Sequence, residues 1–123
     1  MEKERKGYHK MLVWKKGREL ILLIYQHTEN FPRSEEFGLK NQLRRSAVSI
    51  VLNIVEGYRR RTRKDYIHFL NITEGSLSEL EAALEICYDL SFISKENYET
   101  LEEKCREVGF LLWRLIKGLE KNP

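Results

Sequence analysis

The strongest constraint on the fold of this chain is a seam of apolar residues in its last quarter. Seven residues there recur in alternating steps of three and four positions: Tyr98, Leu101, Cys105, Val108, Leu112, Leu115 and Leu119. This spacing places all of them on one side of an α-helix and is typical of the core seam of a helical bundle. No segment alternates apolar and polar residues with the period of two that a half-buried strand requires. The sequence therefore predicts an all-α fold.

Local signals divide the chain into four helices, at about 10–28, 39–58, 63–89 and 95–120. Thr62 and Asp65 form a capping box before the third helix, Ser94 is a suitable N-cap for the fourth, and Gly38 marks a boundary before the second. Gly75, with Ser76 beside it, indicates a close approach by another helix. Because short connections join helices of matched length, we expect one domain over residues 1–123, folded as an antiparallel up-down-up-down four-helix bundle.

The composition excludes several classes of protein. The longest unbroken apolar run lies at positions 20–25 of the 123 residues, far short of the ~20 residues that span a bilayer. The first residues are charged and precede no apolar segment of the kind found in signal peptides. We therefore expect a soluble, cytoplasmic protein with no membrane partner.

No residue pattern indicates catalysis or metal binding. Asp65 and His68 form one carboxylate-x-x-His element, whereas di-iron bundles need two such elements and further inward-facing glutamates. Cys87 and Cys105 lie on core stripes, where thiols fill space and are unreactive. Glycine-rich phosphate loops and nucleophile elbows are absent. The sequence predicts no catalytic residue, no metal, no cofactor and no small-molecule substrate.

Charge is distributed unevenly along the chain. Residues 1–64 carry 16 Lys and Arg against 7 Asp and Glu, a net charge of +9, whereas residues 65–123 carry 6 against 12, a net charge of −6. Such asymmetry indicates either a polyanionic partner or self-assembly steered by charge. The alternative is that the two halves neutralise each other within the fold.

In an antiparallel bundle, the basic segments converge at one end, because the start of the first helix, the turn between the second and third, and the end of the fourth meet there. The predicted nucleic-acid contacts are the basic residues of this end: Lys6, Lys10, Arg59, Arg60, Arg61, Arg63 and Lys64. Guanidinium groups bind phosphates through two hydrogen bonds, and a helix N-terminus adds free N–H donors. Tyr58 and Tyr66 are candidates for stacking on unpaired bases. The alternative is a solvated turn whose arginines pair with glutamates of a neighbouring molecule, and RNA or DNA remain equally open.

The second helix has more apolar surface than one bundle core needs. A second apolar stripe runs beside the stripe that faces the core. Next to this second stripe lies a polar pair, Asn53 and Glu56, which either forms a hydrogen-bond network between protomers or faces water. Together these residues are the predicted interface of a homo-oligomer: Val48, Val51, Leu52, Asn53, Val55 and Glu56. The alternative is that neighbouring helices cover both stripes within a monomer.

A run of segments between positions 31 and 90 resembles a known family. The segments include Gln-Leu-Arg-Arg-Ser-Ala-Val-Ser-Ile at 42–50, Asn-Ile-Val-Glu-Gly-Tyr at 53–58 and Asp-Tyr-Ile-His-Phe-Leu at 65–70. They are similar to the four-helix bundle proteins encoded in intervening sequences of bacterial 23S ribosomal RNA genes. The family usually has a proline after the Ser-Ile pair, whereas Val51 and Leu52 follow Ile50 here.

The resemblance implies a bundle that assembles as a ring, a pentamer. It also implies kinship with the accessory variability determinants of diversity-generating retroelements, which are basic ring proteins that bind nucleic acid and a reverse transcriptase. It supplies no catalytic residues. The sequence thus predicts a non-catalytic homo-oligomer that binds nucleic acid through its basic end. The alternative is a protein–protein interaction scaffold without nucleic-acid binding.

Overall fold

The computed structural model describes residues 7–121, which form four long α-helices. These are α1 (Leu12–Thr28), α2 (Leu39–Tyr58), α3 (Arg63–Asp89) and α4 (Lys95–Lys121), with short 3-10 turns at Gly7–Lys10 and Arg33–Glu35. The described part of the chain contains no strand, and no helix in it is long and apolar enough to cross a membrane. The predicted all-α class is confirmed, and the helix bounds agree with the predicted ones within two residues.

The four helices close into a bundle in which each helix packs against two others. Between α1 and α2, Gly17 lies next to Val51 and Thr28 next to Arg44, and between α2 and α3, Ser49 lies next to Ser76 and Gly57 next to Phe69. Between α3 and α4, Leu77 lies next to Gly109 and Tyr88 next to Tyr98. Between α1 and α4, Glu19 lies next to Lys104 and Lys16 next to Glu107. In each pair of helices, positions rise along one helix as they fall along the other. This is the order that antiparallel neighbours give.

The core is built from one apolar stripe of each helix. Its fully buried side chains include Leu20, Ile24, Leu43, Ile50, Ile54, Leu70, Leu80, Leu84, Leu101, Val108 and Leu112. The predicted seam of α4 supplies four buried residues of this core, and its remaining three pack half-buried against it. Burial of these side chains is the main source of stability in a bundle of this kind.

Capping residues fix where the helices begin and end. The Thr62 hydroxyl accepts the backbone N–H of Asp65 at 3.1 Å, and the Ser94 hydroxyl accepts that of Asn97 at 3.1 Å, so both residues are the predicted N-caps. The reciprocal bond of a capping box, from the Thr62 N–H to the Asp65 carboxylate, is not formed. α3 ends in a Schellman motif: Ser91 has a φ of 63°, and the Phe92 N–H donates to the Cys87 carbonyl at 2.9 Å. The α2–α3 turn and the α3–α4 turn are therefore short and well defined.

Small residues allow α2 and α3 to approach closely. A Cβ atom at Gly57 would lie 3.0 Å from the Phe69 Cβ and 3.1 Å from the Tyr66 carbonyl oxygen. Ser76 also marks the approach, since its hydroxyl lies 2.9 Å from that of Ser49. The same prediction for Gly75 is wrong, because nothing lies within 4 Å of a Cβ added there.

These two glycines give opposite expectations for replacement by alanine. Gly57→Ala is expected to lower the free energy of unfolding by about 1–3 kcal/mol, because backbone atoms of α3 must move to admit the methyl group. Gly75→Ala, the matched control in open space, is expected to raise it by up to ~1 kcal/mol through helix propensity alone. Urea unfolding followed by circular dichroism measures both. Equal stabilities for the two variants would contradict the close packing at Gly57.

Candidate nucleic-acid interface

Three distant segments of the chain meet at one end of the bundle. Gly7 lies against the hydroxyl of Tyr58, and the Arg59 guanidinium lies 5.8 Å from the centre of the Tyr8 ring. A cleft of about 390 Å³ lies between the start of α1 and the later turns of α4, lined by Met11, Leu12, Val13, Leu111, Arg114 and Leu115. We call the exposed cations of these segments the basic end: Lys10, Arg59, Arg60, Arg61, Arg63, Lys64, Lys117 and Lys121.

The predicted contact residues differ in whether they already have a partner within the chain. Arg60 donates to the Glu56 carboxylate at 2.9 Å and lies over the Phe69 ring at 5.4 Å. Arg61, Arg63 and Lys64 make no ion pair with any carboxylate between residues 7 and 121, and neither does Lys10 in the turn before α1. Lys6 lies outside the described residues. The basic end thus exposes several cations whose charge the described chain leaves uncompensated.

An aromatic cluster joins the segment before α1 to the α2–α3 turn. The Tyr58 ring packs edge-to-face against Tyr8 at 6.2 Å and against Tyr66 at 6.3 Å, and Trp14 packs on Tyr8 at 5.6 Å. Burial, together with Tyr58, raises the pKa of Tyr66 to about 12. Because Tyr58 and Tyr66 are engaged with each other, they offer less ring surface to a base than the sequence suggested. Sequence reasoning missed the cluster, because no pattern within one helix indicates a contact between distant segments. Gly7 leaves room for it, since a side chain there would collide with Tyr58.

Only part of the second apolar stripe of α2 is exposed to solvent. Leu52 is 62% exposed, and Val48 and Val55 are half-buried. Val51 is 8% exposed, because it fills the space beside Gly17 of α1. The prediction that Val51 forms part of an exposed interface is therefore wrong: a neighbouring helix of the same chain covers it.

The polar pair of α2 has partners within the chain. Asn53 donates to the Ser49 carbonyl oxygen at 2.9 Å and contacts the Ser49 hydroxyl, which in turn lies 2.9 Å from that of Ser76 in α3. Glu56 is exposed and pairs with Arg60. The side chains of Asn53, Ser49 and Ser76 thus form a hydrogen-bonded chain between α2 and α3, whereas Glu56 is paired with a residue close to it in sequence.

A cleft of about 600 Å³ lies beside the exposed part of this stripe. Its walls include the apolar side chains of Val48 and Leu52 and the cations Arg44 and Arg45. Arg44 lies 4.2 Å from the centre of the Tyr25 ring and donates to the Thr28 hydroxyl at 2.9 Å, so it ties the end of α1 to α2. The cleft is therefore of mixed character, with apolar side chains on one wall and cations, Glu36 and amide groups on the others.

Between α3 and α4, on another side of the bundle, lies a group of carboxylates. Burial raises the pKa of the Glu81 carboxyl, and the nearby negative charges of Glu102 and Glu85 raise it further. The Tyr98 hydroxyl donates to Glu102 at 3.1 Å. Ionisation of Glu81 therefore opposes folding.

A raised carboxyl pKa has a definite consequence for stability against pH. Glu81 favours the folded state while it is protonated, and this contribution is lost as the pH rises through its folded-state pKa. Glu81→Gln is expected to raise the Tm at pH 7 and to leave it unchanged at a pH well below the ordinary glutamate pKa of about 4.3. Glu79→Gln, on the exposed face of α3, is the control. A gain of equal size at both pH values would refute the electrostatic cause.

The described cysteine, histidine and acidic residues give little support for catalysis or metal binding. Burial raises the pKa of Cys87 to about 11 and that of Cys105 to about 12, so both thiols stay protonated at neutral pH. No three His, Cys, Asp or Glu side chains between residues 7 and 121 are grouped so that they could hold a metal ion. Asp65 and His68 are both exposed at the start of α3.

Comparison with known proteins places the chain in a family. A family model described as 23S rRNA-intervening sequence protein matches residues 9–114. The chain belongs to this family. The resemblance identified in the sequence is thereby confirmed as far as the family is concerned.

Among solved structures, this family member is similar to a Bacteroides thetaiotaomicron protein described as having unknown function and belonging to the S23 ribosomal protein family. The two chains are 32% identical, with a TM-score of 0.77 over 86% of this chain and 99% of the other. No curated protein matches the chain.

Proposed function

We propose that this protein is a non-catalytic homo-oligomer that binds nucleic acid through its basic end. The observation that supports the proposal best is the set of unpaired cations Arg61, Arg63 and Lys64 in and after the α2–α3 turn. Guanidinium and ammonium groups at this density suit a phosphate backbone, which attracts them without regard to base sequence. Membership of a family named for an rRNA intervening sequence agrees with an RNA-related role but does not specify it.

Reversal of two charges at the basic end tests its electrostatic role and leaves the fold intact. Arg63 is the first residue of α3, where the helix dipole favours a carboxylate, so Arg61→Glu/Arg63→Glu is expected to fold normally. Binding to a labelled RNA or DNA oligonucleotide is expected to weaken about tenfold or more. The slope of log K against log salt is expected to fall by about 1.4, since each contact on a single strand releases about 0.7 ions.

The matched control for this test is Arg33→Glu/Lys95→Glu. Lys95 is the first residue of α4, as Arg63 is of α3, and both control cations lie toward the other end of the bundle. The control lowers the net charge by the same amount, so it separates local contact from overall charge. Equal affinity for the two double variants would remove the basic end from the proposal.

The oligomeric part of the proposal rests on Leu52 and the half-buried valines beside it. An exposed apolar surface next to a cleft of about 600 Å³ suits a protein contact rather than water. A ring with parallel protomers would place the basic ends on one face and so multiply the number of phosphates bound. A pentamer, the state that the family resemblance implies, is the expected size.

Replacement of the exposed leucine tests this interface. Leu52→Asp is expected to lower the mass measured by sedimentation to that of a smaller species, with little change in the stability of the helix, since surface substitutions rarely change the free energy of unfolding by more than ~0.5 kcal/mol. Ile86→Asp is the control, because Ile86 is 48% exposed on α3. A monomeric wild type, or a Leu52→Asp protein of unchanged mass, would contradict the proposed interface.

A protein–protein scaffold is the competing function. It would account for the apolar surface but not for the density of unpaired cations in one turn. Wild-type protein that binds no nucleic acid at low salt, while it still assembles, would favour the scaffold.

A further inference from the structure

The outward face of α4 presents a pair of aromatic rings that the bundle does not use. Phe110 is 57% exposed and Trp113 is 52% exposed. Their ring centres lie 6.4 Å apart with an angle of 21° between the planes. Phe110 lies on the side of α4 opposite the core seam and Trp113 lies beside the seam, and neither ring belongs to the hydrophobic core. An exposed patch of large apolar side chains is the kind of surface that a ligand or partner covers.

Three cations, Arg106, Arg114 and Lys117, lie beside this aromatic pair, and carboxylates including Glu107 lie near it as well. The Arg114 guanidinium lies 5.8 Å from the centre of the Phe110 ring. Arg106 lies one turn before Phe110 and Lys117 one turn after Trp113, on the same face. Their ion pairs with Glu102 at 3.6 Å and with Glu120 at 3.3 Å are exposed, so they compete weakly with another anion. One turn further, Lys121 belongs to the basic end, so the aromatic face and the basic end are continuous along α4.

We infer that the aromatic pair on α4 stacks on unpaired bases, so that the ligand of the basic end is a single-stranded nucleic acid. The inference rests on the proposed function and specifies its substrate class. Stacked, exposed rings with cations beside them supply the two elements that single-strand binding requires, a π-face for the bases and positive charge for the backbone. Bases in a duplex are paired and stacked already, so they cannot use the rings. A second copy of the chain is a less suitable occupant, because it would have to cover Arg106, Arg114 and Lys117 as well.

The double variant Phe110→Leu/Trp113→Leu separates stacking from simple apolar contact. It keeps apolar side chains on the face but removes both aromatic rings. Affinity for oligo(U), measured by fluorescence anisotropy, is expected to fall at least about fivefold, the loss of roughly one stacked base. Affinity for a duplex of matched length is expected to stay unchanged. Phe37→Leu is the control, because Phe37 is 92% exposed in the connection before α2, toward the end of the bundle opposite Lys117 and Lys121.

Tryptophan emission gives a second, direct readout. In a Trp14→Phe background, Trp113 is the remaining tryptophan, and oligo(U) is expected to quench its emission while the duplex leaves it unchanged. Unchanged oligo(U) affinity in the leucine variant would overturn the inference, and the proposed function would stand if the basic-end variant still lost binding. Wild-type protein that binds neither nucleic acid would overturn the proposed function itself. A blue shift of Trp113 emission with protein concentration alone would assign the face to a second copy and overturn the inference.

Discussion

The close contact between α2 and α3 is the constraint on which the rest of the structure depends. Gly57 leaves room for the backbone of α3 at one end of the contact, and the Ser49 and Ser76 hydroxyls meet in its middle. Small side chains are what allow two helices to approach this closely. Because the helices meet so closely at Gly57, the connection between them is short, and the arginines of that connection are held at the end of the bundle. The position of the candidate site is therefore a consequence of helix packing.

α1 and α4 complete the bundle through different kinds of contact. α1 lies on α2 through Gly17 and Val51, and Arg44 holds its last turn through the Thr28 hydroxyl. Between α1 and α4, Lys104 pairs with Glu19 at 2.8 Å, but this ion pair is exposed, and pairs of this kind contribute little to stability. The buried seam of α4 is what sets its position, and the ion pairs refine the register. The aromatic face of α4 then points outward because the seam must point inward.

The sequence predicts most of the fold because its apolar periodicity and its capping residues agree. The seam of α4 and the caps at Thr62 and Ser94 locate the helices within two residues. Where sequence reasoning was wrong, the missing information was which neighbour covers a side chain. Val51 has the pattern of a surface stripe, but a glycine on α1 admits it to the interior, and no periodicity within α2 indicates this. The contact of Tyr8 with Tyr58 was missed for a similar reason, since it joins residues that are distant in the chain.

The arrangement of charge at the start of α3 works against the stability of that helix. The first turn of a helix has a partial positive charge, which favours carboxylates there and disfavours cations. Asp65 follows this rule, whereas Arg63 and Lys64 in the same turn, with Arg61 just before it, oppose it and repel one another. Local electrostatics alone would place acidic residues at these positions. Where residues are unfavourable for the local structure they form, a functional requirement is the usual reason. A bound phosphate backbone would neutralise the cations at the start of α3 and remove their mutual repulsion.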